Sequence, residues 1–331
     1  MKILILEYIT GGGMRQEPVP ASLAEEGGRM LKALMDDLLT IPGLGLMVLQ
    51  DGRRPLPRHG PRVQILGVSA DADFEALWLD SIKACDAVWP IAPETGGILE
   101  QLCRDVENAG KALLTCPAAA VSLATSKLAA ARRLALHGLT VMPTVPLEEW
   151  RSHAYPVVIK PDDGVGCEGV RIIQDVTEFE TLNQTENWIA QPLLEGESLS
   201  LSALFAQGQA RLLSMNRQRI EQTGAGFALT GCQVNALDDA DGQWQNLAGQ
   251  IAQAIPELWG YAGIDLILGE DGPVILEINP RLTTSYAGLR LATGENPAAM
   301  VLDLWKTGAL PAPRREPGQP VEILLEKPDG H

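Results

Sequence analysis

Short apolar runs alternate with amphipathic stretches through the first third of the chain. KILILEY, GLMVLQD, VQILGV, DAVWPIA and KALLTC read as strands, and residues 22–39, 73–84 and 96–108 repeat apolar positions at helical spacing. This alternation predicts a parallel sheet wrapped by helices. After Cys116-Pro117 the pattern changes to one helix over residues 125–138, stopped by Gly138, and then to a proline-punctuated junction over 143–146. Strands dominate beyond it: YPVVIKP, GVRIIQ, NWIAQPLL, ESLSLSALFAQ, QARLLSMNRQRI and FALTGCQVNAL. An amphipathic helix near 243–255 precedes two further apolar runs, GIDLIL and PVILEINPRL, which the turn signal Glu270-Asp271-Gly272 joins into a hairpin. The proline-rich tail over 311–319 reads as irregular.

Composition narrows the classes. A chain of 331 residues, 46% hydrophobic and 21% charged, is globular and long enough for two or three modest domains. No apolar run approaches the ~20 residues of a membrane span. The opening apolar stretch is too short for a signal peptide and is cut by Glu7, so a cytoplasmic protein is expected. A formal charge of −16 argues against nucleic-acid or anionic-membrane partners. Five scattered cysteines form no C-x-x-C, and the four histidines, His59, His137, His153 and His331, have neither metal nor triad spacing.

The candidate chemistry lies in the second half. Glu277 and Asn279 alternate on a strand and project to one side, and if the run carrying Asp265 pairs beside it, the three oxygen-bearing groups converge. Such a trio suits Mg²⁺, which takes one or two carboxylates and shares substrate phosphates. Lys160 ends a strand and opens a glycine loop containing Gly164, Gly166, Cys167 and Gly169, whose backbone can fold over phosphates; a β-hairpin with a surface lysine is the plainer alternative. Lys127 starts a helix, where the dipole disfavours it. Gln191 to Leu193 with Glu197 form an extended connector able to offer adenine an apolar slot and ribose a carboxylate, or an ordinary strand, turn and strand. Arg217 and Arg219 alternate on a strand, toward a triphosphate or toward a solvated edge. Arg281 can grip a carboxylate or oxyanion in its fork, or pair with Glu277 or Asp265. Thr283, Thr284, Ser285 and Tyr286 offer hydroxyls to a substrate or cap a following helix. The triple glycine at 11–13 lacks dinucleotide spacing and reads as a loop over a substrate or a plain turn.

Lys127, Lys160, the glycine loop, Gln191 with Glu197, and then Asp265, Glu277 and Asn279 follow the order of motifs in the ATP-grasp superfamily, which this chain resembles over about half its length. The resemblance implies an ATP-grasp fold of the α/β (α+β) class. Its parts are an N-terminal parallel-sheet pre-ATP-grasp domain over 1–118, a small central lid over 119–192 and a C-terminal mixed-sheet domain over 193–331. It also implies ATP as cofactor, held by Lys127, Lys160, Gly164, Gly166, Cys167, Gly169, Gln191, Leu193, Glu197 and Arg217. Mg²⁺, or Mn²⁺ in its place, falls to Asp265, Glu277 and Asn279, and catalysis to Lys160 and Arg281. Two departures stand out: Cys167 replaces a common lid serine, and no acidic residue accompanies Gln191. The run from Asn279 to Tyr286 and the opening Glu7-Tyr8-Ile9-Thr10-Gly11 are similar to carboxylate-amine ligases of the tyramine-glutamate ligase family, of methanofuran-type one-carbon cofactor synthesis. Small-molecule carboxylate and amine partners are implied, with a homodimer left open. A dipeptide ligase similar to D-alanine-D-alanine ligase and a non-catalytic nucleotide-binding regulator are the competing readings.

Overall fold

The structure is a computed structural model that describes residues 1–54, 60–150, 155–167, 169–182, 187–224, 226–314 and 318–325. Glu168 of the glycine loop, His59, His153, His331 and residues 315–317 of the tail lie outside the described residues.

The apolar strands of the first third form the parallel sheet that their pattern predicts. β1 (Lys2–Glu7), β2 (Gly45–Asp51), β3 (Val63–Val68), β4 (Ala87–Ile91) and β5 (Ala112–Leu113) pair in parallel in the spatial order β3-β2-β1-β4-β5. Helices α1 (Ala21–Leu39), α2 (Phe74–Lys83) and α3 (Ile98–Asn108) accompany it. Both faces are buried: Leu4 and Leu6 enter one apolar core and Ile3 and Ile5 another, which is why these strands read as continuous apolar runs. Strand order reverses at β1, with β2 on one side and β4 on the other. Chain segments leaving β1 and β4 therefore diverge at their carboxyl ends and open a crevice there.

The helix expected over 125–138 is α5 (Lys127–Leu136), and a further helix, α4 (Ala118–Thr125), precedes it. The break falls at Ser126, which is extended and whose hydroxyl accepts from the Ala129 N–H to cap α5. Next, β6 (Val145–Pro146), β7 (Val157–Pro161), β8 (Arg171–Ile173) and β9 (Trp188–Pro192) form an antiparallel sheet in the order β6-β9-β7-β8. Short helix α6 (Val176–Glu180) follows β8, and Val157, Ile159, Ile173 and Ala190 give this sheet its own small core.

The last sheet contains β10 (Glu197–Ala206), β11 (Gln209–Thr223), β12 (Gly226–Leu237), β13 (Gly260–Gly269), β14 (Gly272–Asn279) and β15 (Val321–Leu324), in the order β14-β13-β10-β11-β12-β15. Its strands pair antiparallel, and a parallel bridge from Val141 to Ile275 adds to the outer edge of β14. Helix α7 (Gln243–Ala254), between β12 and β13, sends Ala248 and Ile251 into the core that also holds Leu199, Leu201 and Ile264. The opposite face mixes apolar Leu204, Leu213 and Val234 with buried polar groups. Asn216 Nδ2 donates to Ser202 Oγ at 3.1 Å, Ser202 and Tyr261 share a hydrogen bond of 3.0 Å, and Tyr261 and Thr283 one of 2.9 Å. This hydroxyl chain supports the segment that leaves β14. Helices α8 (Tyr286–Thr293) and α9 (Pro297–Thr307) follow and pack on α1, where the Tyr286 hydroxyl donates to the buried Asp37 at 3.0 Å. Among the described residues no helix is long and apolar enough to cross a membrane.

Candidate active site

The β13–β14 hairpin aligns Asp265 with Glu277 and Gly263 with Asn279, so the three oxygen-bearing side chains meet on one face. Asn279 Nδ2 donates to Asp265 Oδ2 at 3.1 Å, and Gln218 Nε2 donates to Oδ1 at 2.9 Å from across β10. Two buried lysines approach from other elements: Lys127 Nζ lies 3.4 Å and Lys160 Nζ 3.8 Å from Glu277 Oε2. Burial opposes the charge of Glu277, but Lys127 and then Lys160 outweigh it and hold the carboxyl below its ordinary value. Asp265 goes the other way, pushed up to about 7 by burial and then by the charge of Glu277. Burial also lowers Lys160, against the pull of Glu277.

Two carboxylates in register, with burial and then the charge of Glu277 raising Asp265, make a second negative charge on the hairpin costly. An oxygen-seeking divalent cation relieves that repulsion, so the residues fit Mg²⁺. Among the described residues no three His, Cys, Asp or Glu side chains gather to hold a metal by themselves. A set of two carboxylates and an amide leaves the remaining coordination to phosphate and water.

Because the folded value for Asp265 lies above its ordinary 3.8, the stability it contributes is complete below that pH and is lost as pH rises toward about 7. In the metal-free protein, the melting-temperature advantage of wild type over Asp265→Asn should therefore shrink between about pH 4 and about pH 7. A difference that stays flat across thermal melts in that range would exclude the shift.

The segment after Lys160 is fixed from three directions. The Asp162 carboxylate accepts from the Ser126 hydroxyl and, at 2.8 Å, from the Leu128 N–H, which places a negative charge at the start of α5 and offsets the awkward position of Lys127. Asp163 Oδ2 accepts from the Gly96 N–H at 2.9 Å and its carbonyl from the Thr95 hydroxyl at 3.1 Å. Lys127 Nζ donates to the Gly164 carbonyl. Gly166, Cys167 and Gly169 all have positive φ, of 60°, 66° and 71°, so the loop turns in the left-handed region that glycine enters freely.

The connector is more committed to its own contacts. Gln191 is buried on β9 and donates to the Thr144 hydroxyl at 2.9 Å, and the Leu193 N–H donates to the Pro156 carbonyl at 3.4 Å. Arg217 pairs with Glu197 and donates to Gln233 at 3.1 Å, while Arg219 pairs with Glu322 at 2.7 Å. Glu197 and Arg217 thus occupy each other, on the exposed side of the sheet.

Arg281 has neither Glu277 nor Asp265 as its hydrogen-bonded partner. Its Nε donates at 2.9 Å to Glu94 Oε2, and Nη1 donates to the Leu282 carbonyl at 3.0 Å. Burial works against the guanidinium, yet Glu94 overcomes it and holds Arg281 above its ordinary value. Glu94 follows β4 at the crevice, a place that a rule about carboxyl ends of parallel strands marks; the sequence offers it as a substrate-facing residue or as a turn or cap. Glu26 of α1, which accepts from the Thr284 hydroxyl, and Gln218 were missed. Residues 11–13 form turns: the Gly11 N–H donates to the Glu7 carbonyl at 2.7 Å, and a Cβ on Gly11 would sit 2.4 Å from that oxygen. Close packing explains those glycines.

Comparison with known families matches residues 124–285 to the ATP-grasp domain and residues 44–121 to the pre ATP-grasp 3 domain. The chain joins a pre-ATP-grasp domain to an ATP-grasp domain. It is 29% identical over 290 residues to the tyramine–L-glutamate ligase of Methanocaldococcus fervens, covering 87% of this chain and 89% of that one. Among solved structures, an ATP-grasp superfamily protein from Archaeoglobus fulgidus superposes with a TM-score of 0.70 at 20% identity, covering 98% of this chain and all of the other. The L-amino acid ligase of Bacillus licheniformis gives 0.65 at 17% identity, covering 92% and 74%.

The candidate residues from Lys127 to Arg281 fall inside the ATP-grasp match, and Glu94 falls inside the pre-ATP-grasp match. The candidate site therefore straddles the two matches, joined across them by Arg281 with Glu94 and by Thr95 and Gly96 with Asp163. At Cys167 burial first, and then Glu277 and Asp265, push the thiol up to about 11, so it stays protonated beside the ATP-grasp carboxylates.

Proposed function

We propose that this chain is an ATP-dependent ligase that joins the carboxylate of an amino acid, L-glutamate first, to an amine such as tyramine through an acyl phosphate. The observation that carries the reading is the in-register Asp265–Glu277 pair, flanked by the buried Lys127 and Lys160 with Arg281 two residues beyond Asn279. Amide formation in water is uphill, and a carboxylate is a poor electrophile. Attack of its oxygen on the γ-phosphorus of ATP releases ADP and leaves an acyl phosphate, a mixed anhydride; the neutral amine then attacks the carbonyl, phosphate departs and the nitrogen loses a proton. Lys160 and Lys127 hold the phosphates and screen their charge, the kind of electrostatic help that phosphoryl transfer depends on. Mg²⁺ held by Asp265, Glu277 and Asn279 supplies further neutralisation of the phosphate oxygens. Arg281 orients the donor carboxylate with its fork.

In this reading residues 1–118 contribute to substrate binding, 119–192 cover the nucleotide and 193–331 carry the metal. The step is consistent with the furan-type one-carbon cofactor synthesis that the sequence resemblance implies, in a cytoplasmic setting. The test is release of ADP and phosphate that depends on both an amino acid and an amine, across a panel of each. The expected pair is L-glutamate with tyramine. A D-alanine dimer as product would sink the assignment, and tight ATP binding with no product from any pair would favour a regulatory nucleotide-binding role.

A further inference from the structure

Glu94 is 3% exposed, and among the described residues its Oε1 is a buried oxygen with no hydrogen-bond partner. It lines the small cleft that Lys127, Gly164, Glu277 and Asn279 also line, while its other oxygen is taken by Arg281. A second carboxylate, Glu26, acts on the same guanidinium, and its own hydrogen bond comes from the neutral Thr284 hydroxyl. Glu94 holds this guanidinium by a hydrogen bond, and Glu26 and Glu277 act on it through their charge, at the point where strand order in the parallel sheet reverses. A buried carboxylate oxygen without a donor is costly. Water can satisfy its hydrogen bond but not the surplus charge; a group with several N–H donors and a positive charge does both.

We propose that Glu94 Oε1 forms the subsite for a primary ammonium group of a substrate, next to the carboxylate position of Arg281. The proposal rests on the ligase reading for which molecule brings the ammonium: the acceptor amine or the amino group of the donor amino acid. Arg281 then has two tasks. It keeps Glu94 aimed through its hydrogen bond, and it separates the ammonium position from the carboxylate to be activated.

Glu94→Gln is the test, because the amide keeps an oxygen for Arg281 Nε and removes the charge. Tyramine and L-glutamate serve as probes, hydroxylamine as a nucleophile that is uncharged at neutral pH, and glutarate as a donor without the amino group. A rise of about tenfold or more in KM for tyramine, with hydroxamate formation from L-glutamate unchanged, supports the subsite and gives it to the acceptor. The same rise in KM for L-glutamate, with glutarate unaffected, supports it and gives it to the donor. Equal losses with glutarate and hydroxylamine, or unchanged KM for both probes, overturn it. A wild-type protein that turns over no pair ends the ligase reading alone. Calorimetric titration of both probes into wild type and Glu94→Gln then decides the subsite: weaker binding to the variant supports it, and equal or absent binding overturns it.

Discussion

Glu277→Gln should lower turnover by about two to three orders of magnitude while the protein remains folded. The side chain faces Asp265 in register and lies within 3.8 Å of both lysines, so it has charge to share with a cation and with the two ammonium groups. Glutamine preserves shape and removes that charge. The metal-free variant should also lose stability, by up to about 3 kcal/mol, because Lys127 and Lys160 are left buried together without their counter-ion. Loss of the Lys160 proton softens this, since burial already lowers its pKa. Steady-state rates with saturating Mg²⁺ and ATP, together with a thermal melt, check both parts. Wild-type rates in the variant would remove the metal assignment.

Lys160→Met separates binding from folding in the opposite sense. The side chain is only 6% exposed and is ionised against the cost of burial, so an apolar replacement of similar length leaves the metal-free protein as stable as wild type or more so. Glu277 keeps Lys127 as a partner. Turnover nonetheless drops by about a hundredfold and KM for ATP rises, because one fixed positive charge beside the phosphates is gone. An unchanged KM for ATP alongside a wild-type rate would show that Lys160 does not meet the nucleotide.

The strands were legible because burial on two faces leaves continuous apolar runs in β1, β2 and β4, while the Glu270-Asp271-Gly272 turn sets the hairpin register that brings Asp265 to Glu277. Lys127 and Lys160 were legible as charges in places where local structure does not favour them. Three things were not. The carboxylate that holds the Ser126 hydroxyl and the Leu128 N–H at the start of α5 is Asp162, which lies 36 residues from Ser126. The partner of Arg281 is 187 residues distant, so no local spacing could choose Glu94 over Glu277. Glu197 and Arg217 each have a chemistry suited to a nucleotide, and only their pairing across β10 and β11 reveals that they meet each other.

The hydroxyls beneath the segment that follows β14 have a further property. Ser202, Tyr261, Thr283 and Ser285 form contacts of 2.9 to 3.4 Å in which either oxygen can donate. Each hydroxyl both gives and receives, and its hydrogen rotates without displacing a heavy atom. The ring can therefore run in either sense. A group arriving at Thr283 meets a donor or an acceptor according to its own need, so this rigid floor is silent about polarity, and in the proposed ligase discrimination between substrates falls to Glu94 and Arg281.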